Sequence, residues 1–185
     1  MKQTMRDMQL TISALDSPLG EMLLVCDDNA QVRALDFADH ETHLQRQLRL
    51  HYGSQRLTPA VAPGAVTQAL RRYFDGQFDA LDQIVTATAG TDLQRRVWQA
   101  LRSIPAGQTN SYGALARAVG FSDARAAIAI GAANGANPIA IIVPCHRVIA
   151  SNGELRGYAW GLHRKRWLLE HERAIATPAL QLPGF

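Results

Sequence analysis

Along the first forty residues the apolar positions either alternate with polar ones or form short unbroken runs. Leu10, Ile12 and Ala14 alternate with Thr11 and Ser13, the period of a half-buried strand. After a turn at Asp16-Ser17-Pro18-Leu19-Gly20, Met22 to Cys26 is apolar throughout and reads as a central strand. Asp27-Asp28-Asn29 has hairpin chemistry, and Val32 to Phe37 reads as a third strand, completing an antiparallel meander. The period then changes. Leu44 and Leu48 stand one turn apart in a helix expected over Glu41 to His51, and Gly53 to Gly64, with Pro59 and Pro63, reads as a connecting loop. Val66, Ala69, Leu70, Tyr73 and Phe74 mark an amphipathic helix stopped by Asp75-Gly76. Gln77 to Gly90 has no helical period, and the domain boundary is placed there, dividing residues 1–90 from 91–185.

The second half opens on Thr91-Asp92-Leu93-Gln94, a candidate capping box in which Thr91 and Gln94 satisfy each other's free amides. The helix it starts turns Leu93, Val97, Trp98 and Leu101 inward and ends at Pro105-Ala106-Gly107. Ser111 reads as the N-cap of a helix over Tyr112 to Val119, Gly120 as a tight turn, and Ser122 or Asp123 as the cap of a helix reaching about Ala133. Two short helices joined through a glycine make a helix-turn-helix. Asn134 to Pro138 reads as a loop, and Ile139 to Val143 as a strand that ends in Pro144-Cys145-His146-Arg147. A hairpin-like turn at Ala150 to Gly153, a glycine-bracketed loop at Gly157 to Gly161, a last helix over Leu162 to Arg173 and a loose tail from Thr177 complete the chain. The fold class expected is α+β: an antiparallel sheet with helices, then a mainly helical half.

Composition narrows the setting. Of 185 residues, 47% are hydrophobic and 19% charged, the balance of a globular protein rather than a disordered one. The longest apolar runs fall far short of the ~20 residues that cross a bilayer, and Met1 to Arg6 lacks the apolar block of a signal peptide. The expected location is the cytoplasm, with no membrane partner. Cys26 and Cys145 are read as free thiols, Cys26 as a packing residue, and no histidine joins them at metal-ligand spacing, so neither metal nor cofactor is expected. A formal charge of +3 is compatible with nucleic acid without demanding it.

The candidate chemistry centres on Cys145. A thiol becomes a nucleophile when positive charge or a base stabilises its thiolate, and His146 and Arg147 follow it directly. The alternative is a buried structural cysteine, and strand alternation would turn His146 away from it unless water or a bend at Pro144 intervened. Glu172 reads either as a solvated carboxylate or as the group that orients a histidine. The helix carrying Ala124, Ala126, Ala127, Ala129, Gly131, Ala132 and Ala133 reads either as close helix packing or as a smooth surface admitting nucleic acid.

Pro144-Cys145-His146-Arg147-Val148, preceded by Asn137-Pro138 and followed by Gly157-Tyr158, Lys165 and Glu172, resembles the O6-alkylguanine-DNA alkyltransferases. The resemblance runs through nearly the whole chain, is strongest from Thr91 to Glu172, and matches the bacterial single-protein form. It implies a ribonuclease-H-like N-terminal domain and a winged-helix-like C-terminal one. The implied activity is direct reversal: a monomer binds double-stranded DNA, flips out O6-alkylguanine, and O4-alkylthymine as well, and transfers the alkyl group irreversibly to Cys145. By the same resemblance His146 takes the thiol proton through water, Glu172 holds His146, Tyr112 hydrogen-bonds the guanine ring, and Asn137 braces the turn beside the nucleophile. Carbonyls of Cys145 and Val148 read the exocyclic amine, the Ala159 amide faces the alkylated oxygen, Tyr158 walls the pocket, and Lys165 lies on the next helix. Ala126, Ala127 and Gly131 belong to the DNA-facing helix. The family's arginine finger is replaced by Ile128; Arg125 is read as the displaced finger, with Ile128 as an apolar wedge in the alternative. Ala159-Trp160, where many relatives carry smaller or hydroxylated residues, is a second departure, and Trp160 is expected to narrow or reshape the alkyl pocket. The competing function is a lesion sensor without catalysis, but such relatives replace the cysteine that this chain keeps.

Overall fold

The computed structural model describes residues 8–54, 56–123 and 126–177. Strands β1 (Leu10–Leu15), β2 (Met22–Asp27) and β3 (Val32–Phe37) form the expected antiparallel meander. β2 is apolar from Met22 to Cys26 because both its faces are buried. Met22, Leu24 and Cys26 enter the main core, while Val25 enters a smaller cluster with Leu44, Leu48 and Tyr52 of helix α1 (Glu41–Tyr52). A fourth strand, β4 (Leu57–Pro59), departs from the loop expected there. It pairs parallel with β1 at the sheet edge, where a proline breaks no interior ladder, giving the order β3-β2-β1-β4.

Helix α2 (Gly64–Phe74) presents Val66, Ala69, Leu70 and Tyr73 to the core and stops at Gly76, whose φ of +92° is the left-handed conformation that glycine tolerates. Helix α3 (Asp92–Arg102) starts in the capping box foreseen: Thr91 Oγ1 accepts from the Gln94 amide at 3.2 Å and Gln94 Oε1 from the Thr91 amide at 2.9 Å. Beyond it lie β5 (Asn110–Ser111), α4 (Tyr112–Ala118) capped by Ser111, α5 (Ala126–Gly135), β6 (Val148–Ile149), which pairs parallel with β5, and α6 (Leu162–His171). Gly120, at φ +91°, turns the chain after α4. The helix α5 runs two residues past the expected end, so Asn134 and Gly135 are helical rather than looped.

The strand expected over Ile139 to Val143 does not form. Leu35 of β3 holds the segment by two backbone bonds, donating to Pro138 O at 3.0 Å and accepting from the Ala140 amide at 2.8 Å. Tight turns follow, with Ile142 bonded back to Ala140 and Ile141 at φ +66°. Local bonds replace a ladder, so the β-branched run is buried as turns. One continuous core joins Met22, Leu35 and Tyr73 of the first half to Val97, Trp98, Ile130, Val143 and Leu168 of the second.

Candidate active site

Cys145 opens a 3-10 turn, Cys145–Arg147, that leads into β6, so it does not end a strand as the sequence suggested. This corrects the objection drawn from strand alternation, since neither Cys145 nor His146 lies on a pleated strand. The thiol is 3% exposed. Burial pushes its pKa up to about 11, while a hydrogen bond from Asn137 and the charge of Lys165 pull the other way. At neutral pH the resting group is therefore a thiol, which needs a base at the moment of attack.

Asn137 is wholly buried and organises the turn. Its Nδ2 reaches Cys145 Sγ at 3.1 Å, Val143 O at 2.8 Å and Ile139 O at 3.2 Å, and its Oδ1 accepts from the Ile139 amide at 2.9 Å. The sulfur thus faces a fixed amide donor.

His146 is buried beside it, its Nε2 2.9 Å from Glu172 Oε1. Burial lowers the pKa of His146 although Glu172 opposes the shift, so the neutral imidazole is the resting form. Nε2 then carries the proton toward the carboxylate, and Nδ1, which has no hydrogen-bond partner among the described residues, keeps its lone pair.

Glu172 follows the last turn of α6. Burial alone would raise its pKa, but the hydrogen bonds from His146 and Arg147, together with the Arg147 charge, overcome this and hold the carboxyl well below its usual range. Arg147 supplies two of the contacts, Nε to Oε2 and Nη2 to Oε1, each 2.9 Å, and anchors its remaining nitrogen on Ile104 O at 2.5 Å. Tyr73 Oη supplies another at 2.7 Å. Arg147, read in the sequence as positive charge beside the thiol, pairs with Glu172 instead, and Tyr73 was read only as core. A tyrosine in a buried helical stripe was a usable signal, because its hydroxyl needs a partner.

Around this chain the other expected residues are arranged unequally. Tyr112, at the start of α4, donates to Arg156 O at 3.2 Å and packs near Gly131 and Gly157. A Cβ on Gly131 would lie 3.9 Å from its ring, and one on Gly157 3.8 Å from its hydroxyl. Lys165 is buried, and its Nζ donates to Val148 O and Arg156 O at 2.7 Å and to Gly157 O at 3.2 Å; burial pulls its pKa down to about 8. The carbonyl of Val148 therefore already receives one donor, and that of Cys145 receives the Val148 amide. Tyr158 is half-buried, its hydroxyl without a hydrogen-bond partner among the described residues, and Ala159 beside it is half-buried too.

Trp160 is fully buried, which fits reshaping of the pocket rather than narrowing of it. Its Nε1 donates to Asp36 Oδ1 at 2.6 Å, and its ring meets Tyr158 edge-on at 5.1 Å, so it acts on the loop from behind. On α5, Ala126, Ala127 and Gly131 are half-buried and Ile128 is 80% exposed. Arg125 lies outside the described residues.

Fold and site together define a class: an α/β protein with a buried cysteine followed directly by a buried histidine–glutamate pair, in the half of the chain that carries the short helices α4 and α5. Residues 92–174 match the family described as 6-O-methylguanine DNA methyltransferase, DNA binding domain. Over 168 residues, 89% of this chain and 96% of the relative, the chain is 46% identical to the methylated-DNA–protein-cysteine methyltransferase of Salmonella typhimurium. It is 43% identical over 173 residues to that of Mycobacterium bovis, covering 91% of this chain and 95% of the relative. The crystal structure of Mycobacterium tuberculosis O6-methylguanine methyltransferase superposes with a TM-score of 0.71 at 38% identity, covering 93% of this chain and 98% of that one. A structure of OGT from the same organism in complex with DNA also gives 0.71, at 35% identity, covering 89% and 93%. The chain belongs to the methylated-DNA–protein-cysteine methyltransferase family.

Proposed function

We propose that this chain repairs DNA by direct reversal, as a monomer in the cytoplasm, accepting the alkyl group of O6-alkylguanine, and of O4-alkylthymine, on Cys145. Residues 91–185 are the DNA-binding and acceptor part, and 1–90 its support. The alkylated oxygen is out of reach inside a base stack, so the base must be turned out of the helix. Arg125 is read as the finger that fills the gap, with Ile128, exposed on α5, as the alternative wedge. Tyr158 and the Ala159 amide then bound the alkyl side, and the free lone pairs of the Cys145 and Val148 carbonyls receive the exocyclic amine.

In the transfer, Sγ attacks the alkyl carbon opposite the oxygen. The C–S bond forms as the C–O bond breaks, the electron pair leaves with the guanine, and the thiol proton passes by way of water to His146 Nδ1. Glu172 stabilises the imidazolium that results, and Tyr112 donates to the guanine ring as charge builds there. The product is a thioether with no leaving group worth the name, so each molecule acts once.

The observation that carries this reading is a pair of buried contacts on consecutive residues of one turn, Asn137 Nδ2 on Cys145 Sγ and His146 Nε2 on Glu172 Oε1, closed off from solvent beside a DNA-binding helix pair. A duplex containing one O6-methylguanine is expected to return to guanine while the Cys145 peptide gains one methyl mass. An unmodified peptide with unrepaired DNA would sink the reading.

A further inference from the structure

We infer that Tyr73, on α2 in the half of the chain with no other reacting group, is a positioning residue for alkyl transfer, acting through Glu172 to fix the protonation of His146. The inference rests on the reading of Cys145, His146 and Glu172 as the reaction centre. Tyr73 is fully buried, and its hydroxyl lies 2.7 Å from Glu172 Oε1, the same oxygen that meets His146 Nε2 at 2.9 Å. Its ring is held edge-on against Phe74, Phe78 and His171, and its carbonyl accepts from His171 Nε2 at 2.9 Å, so the hydroxyl cannot swing away.

The direction of that bond is fixed. Burial and the adjacent carboxylate push the Tyr73 pKa well above its ordinary value, so the phenol stays protonated and must donate. Oε1 is then an acceptor from Tyr73, from Arg147 Nη2 and from His146, which obliges His146 to present Nε2–H and to keep Nδ1 basic. A second effect follows from charge. Each donor on Glu172 spreads its negative charge, and a less satisfied carboxylate attracts a proton more strongly onto the neighbouring imidazole. Tyr73 therefore limits how far Glu172 raises the basicity of His146. The charged and titratable groups that bear on this pair are Arg147 from the same turn, Lys165 from α6, Tyr158 from the preceding loop and Cys145 itself.

The test is the single-turnover rate of transfer from an O6-methylguanine duplex as a function of pH, for the wild type and Tyr73→Phe, alongside duplex affinity and Tm. The phenylalanine keeps the ring packing and removes only the hydroxyl. The acid limb is expected to move to higher pH, with the rate on the acid side falling about tenfold, the size of one lost hydrogen bond to a charged group, and much less on the alkaline side, with duplex affinity unchanged. An unshifted limb overturns the inference, whether the rate is unaltered or reduced equally at every pH. If Tyr73→Phe does not fold, NMR of the wild type decides: a Tyr73 hydroxyl proton protected from exchange and a His146 ring protonated at Nε2 alone are expected, and the absence of either overturns it. A wild type that fails to methylate Cys145 would instead defeat the reading of the site.

Discussion

Asp36 on β3 and Trp160 in the loop before α6, 124 residues apart in sequence, share a buried hydrogen bond of 2.6 Å. The same carboxylate also accepts from the Phe37 amide at 2.8 Å and lies 2.7 Å from His43 Nδ1. It thereby ties the sheet to the loop that carries Tyr158. Asp36→Ala leaves a buried indole N–H without a partner, at a cost of about 1–3 kcal/mol. Tm is expected to fall by roughly 2–4 °C per kcal/mol for a chain of this size, and alkyl transfer to slow as the loop loosens. Thermal denaturation and single-turnover kinetics check both; an unchanged Tm would mean that the bond does not hold the loop.

The acid side of the pH profile follows from His146. In the proposed reaction the group is a neutral base, so protonating it stops transfer. Because burial lowers its pKa below the ordinary 6.5, the rate is expected to hold at pH values where an exposed histidine would already be charged. On the alkaline side, Lys165 discharges above about 8 and withdraws a positive charge that favours the Cys145 thiolate, so the rate is expected to decline there. Lys165 also enters stability: its folded pKa lies below the unfolded 10.5, the unfolded chain binds more protons between the two values, and stability from this group rises with pH across that interval. Rates and denaturation midpoints measured over the same buffers check the three signs together.

Ile128 is solvated in the free protein, so Ile128→Ala is expected to change stability by less than about 0.5 kcal/mol. Repair of duplex DNA should slow by about tenfold while transfer from the free base is unaffected, since a wedge contributes only where a base must be unstacked, at roughly a few kcal/mol per step. Equal effects on the two substrates would show that Ile128 is no wedge.

Methylation of Cys145 places an extra carbon in a site where the sulfur is 3% exposed and touches Asn137. Overpacking of this kind costs about 1–3 kcal/mol. The alkylated protein is expected to melt below the unreacted one, a difference that calorimetry before and after a single turnover measures directly.

Local patterns carried much of the fold. The first three strands, the Thr91 capping box, the Ser111 cap and the glycine turn at Gly120 all follow from residues within a few positions of one another. What escaped was set by distant partners. The run Ile139 to Val143 has strand composition, yet the Asn137 side chain and Leu35 of β3 take up backbone groups that a strand would have paired, and turns result. The Cys145 signature was plain in the sequence, but the support of Glu172 was not: Tyr73 stands 99 residues away from it, and only folding brings them together. Asp36, a carboxylate inside an apolar strand, was the kind of anomaly that calls for a buried donor, although nothing local names Trp160 as that donor.

The outward face of α5 consists of Ile128, Ala129, Ala132 and Gly135, over a helix whose one amide side chain, Asn134, is buried. None of the three exposed side chains, Ile128, Ala129 and Ala132, can donate or accept a hydrogen bond, and Gly135 has none, so among the described residues this face does not read the groove edges by hydrogen bonding. A helix so mute leaves the choice of target to the base that can be unstacked and fitted around Cys145. Indifference to the surrounding letters suits a damage that falls on guanines in any neighbourhood.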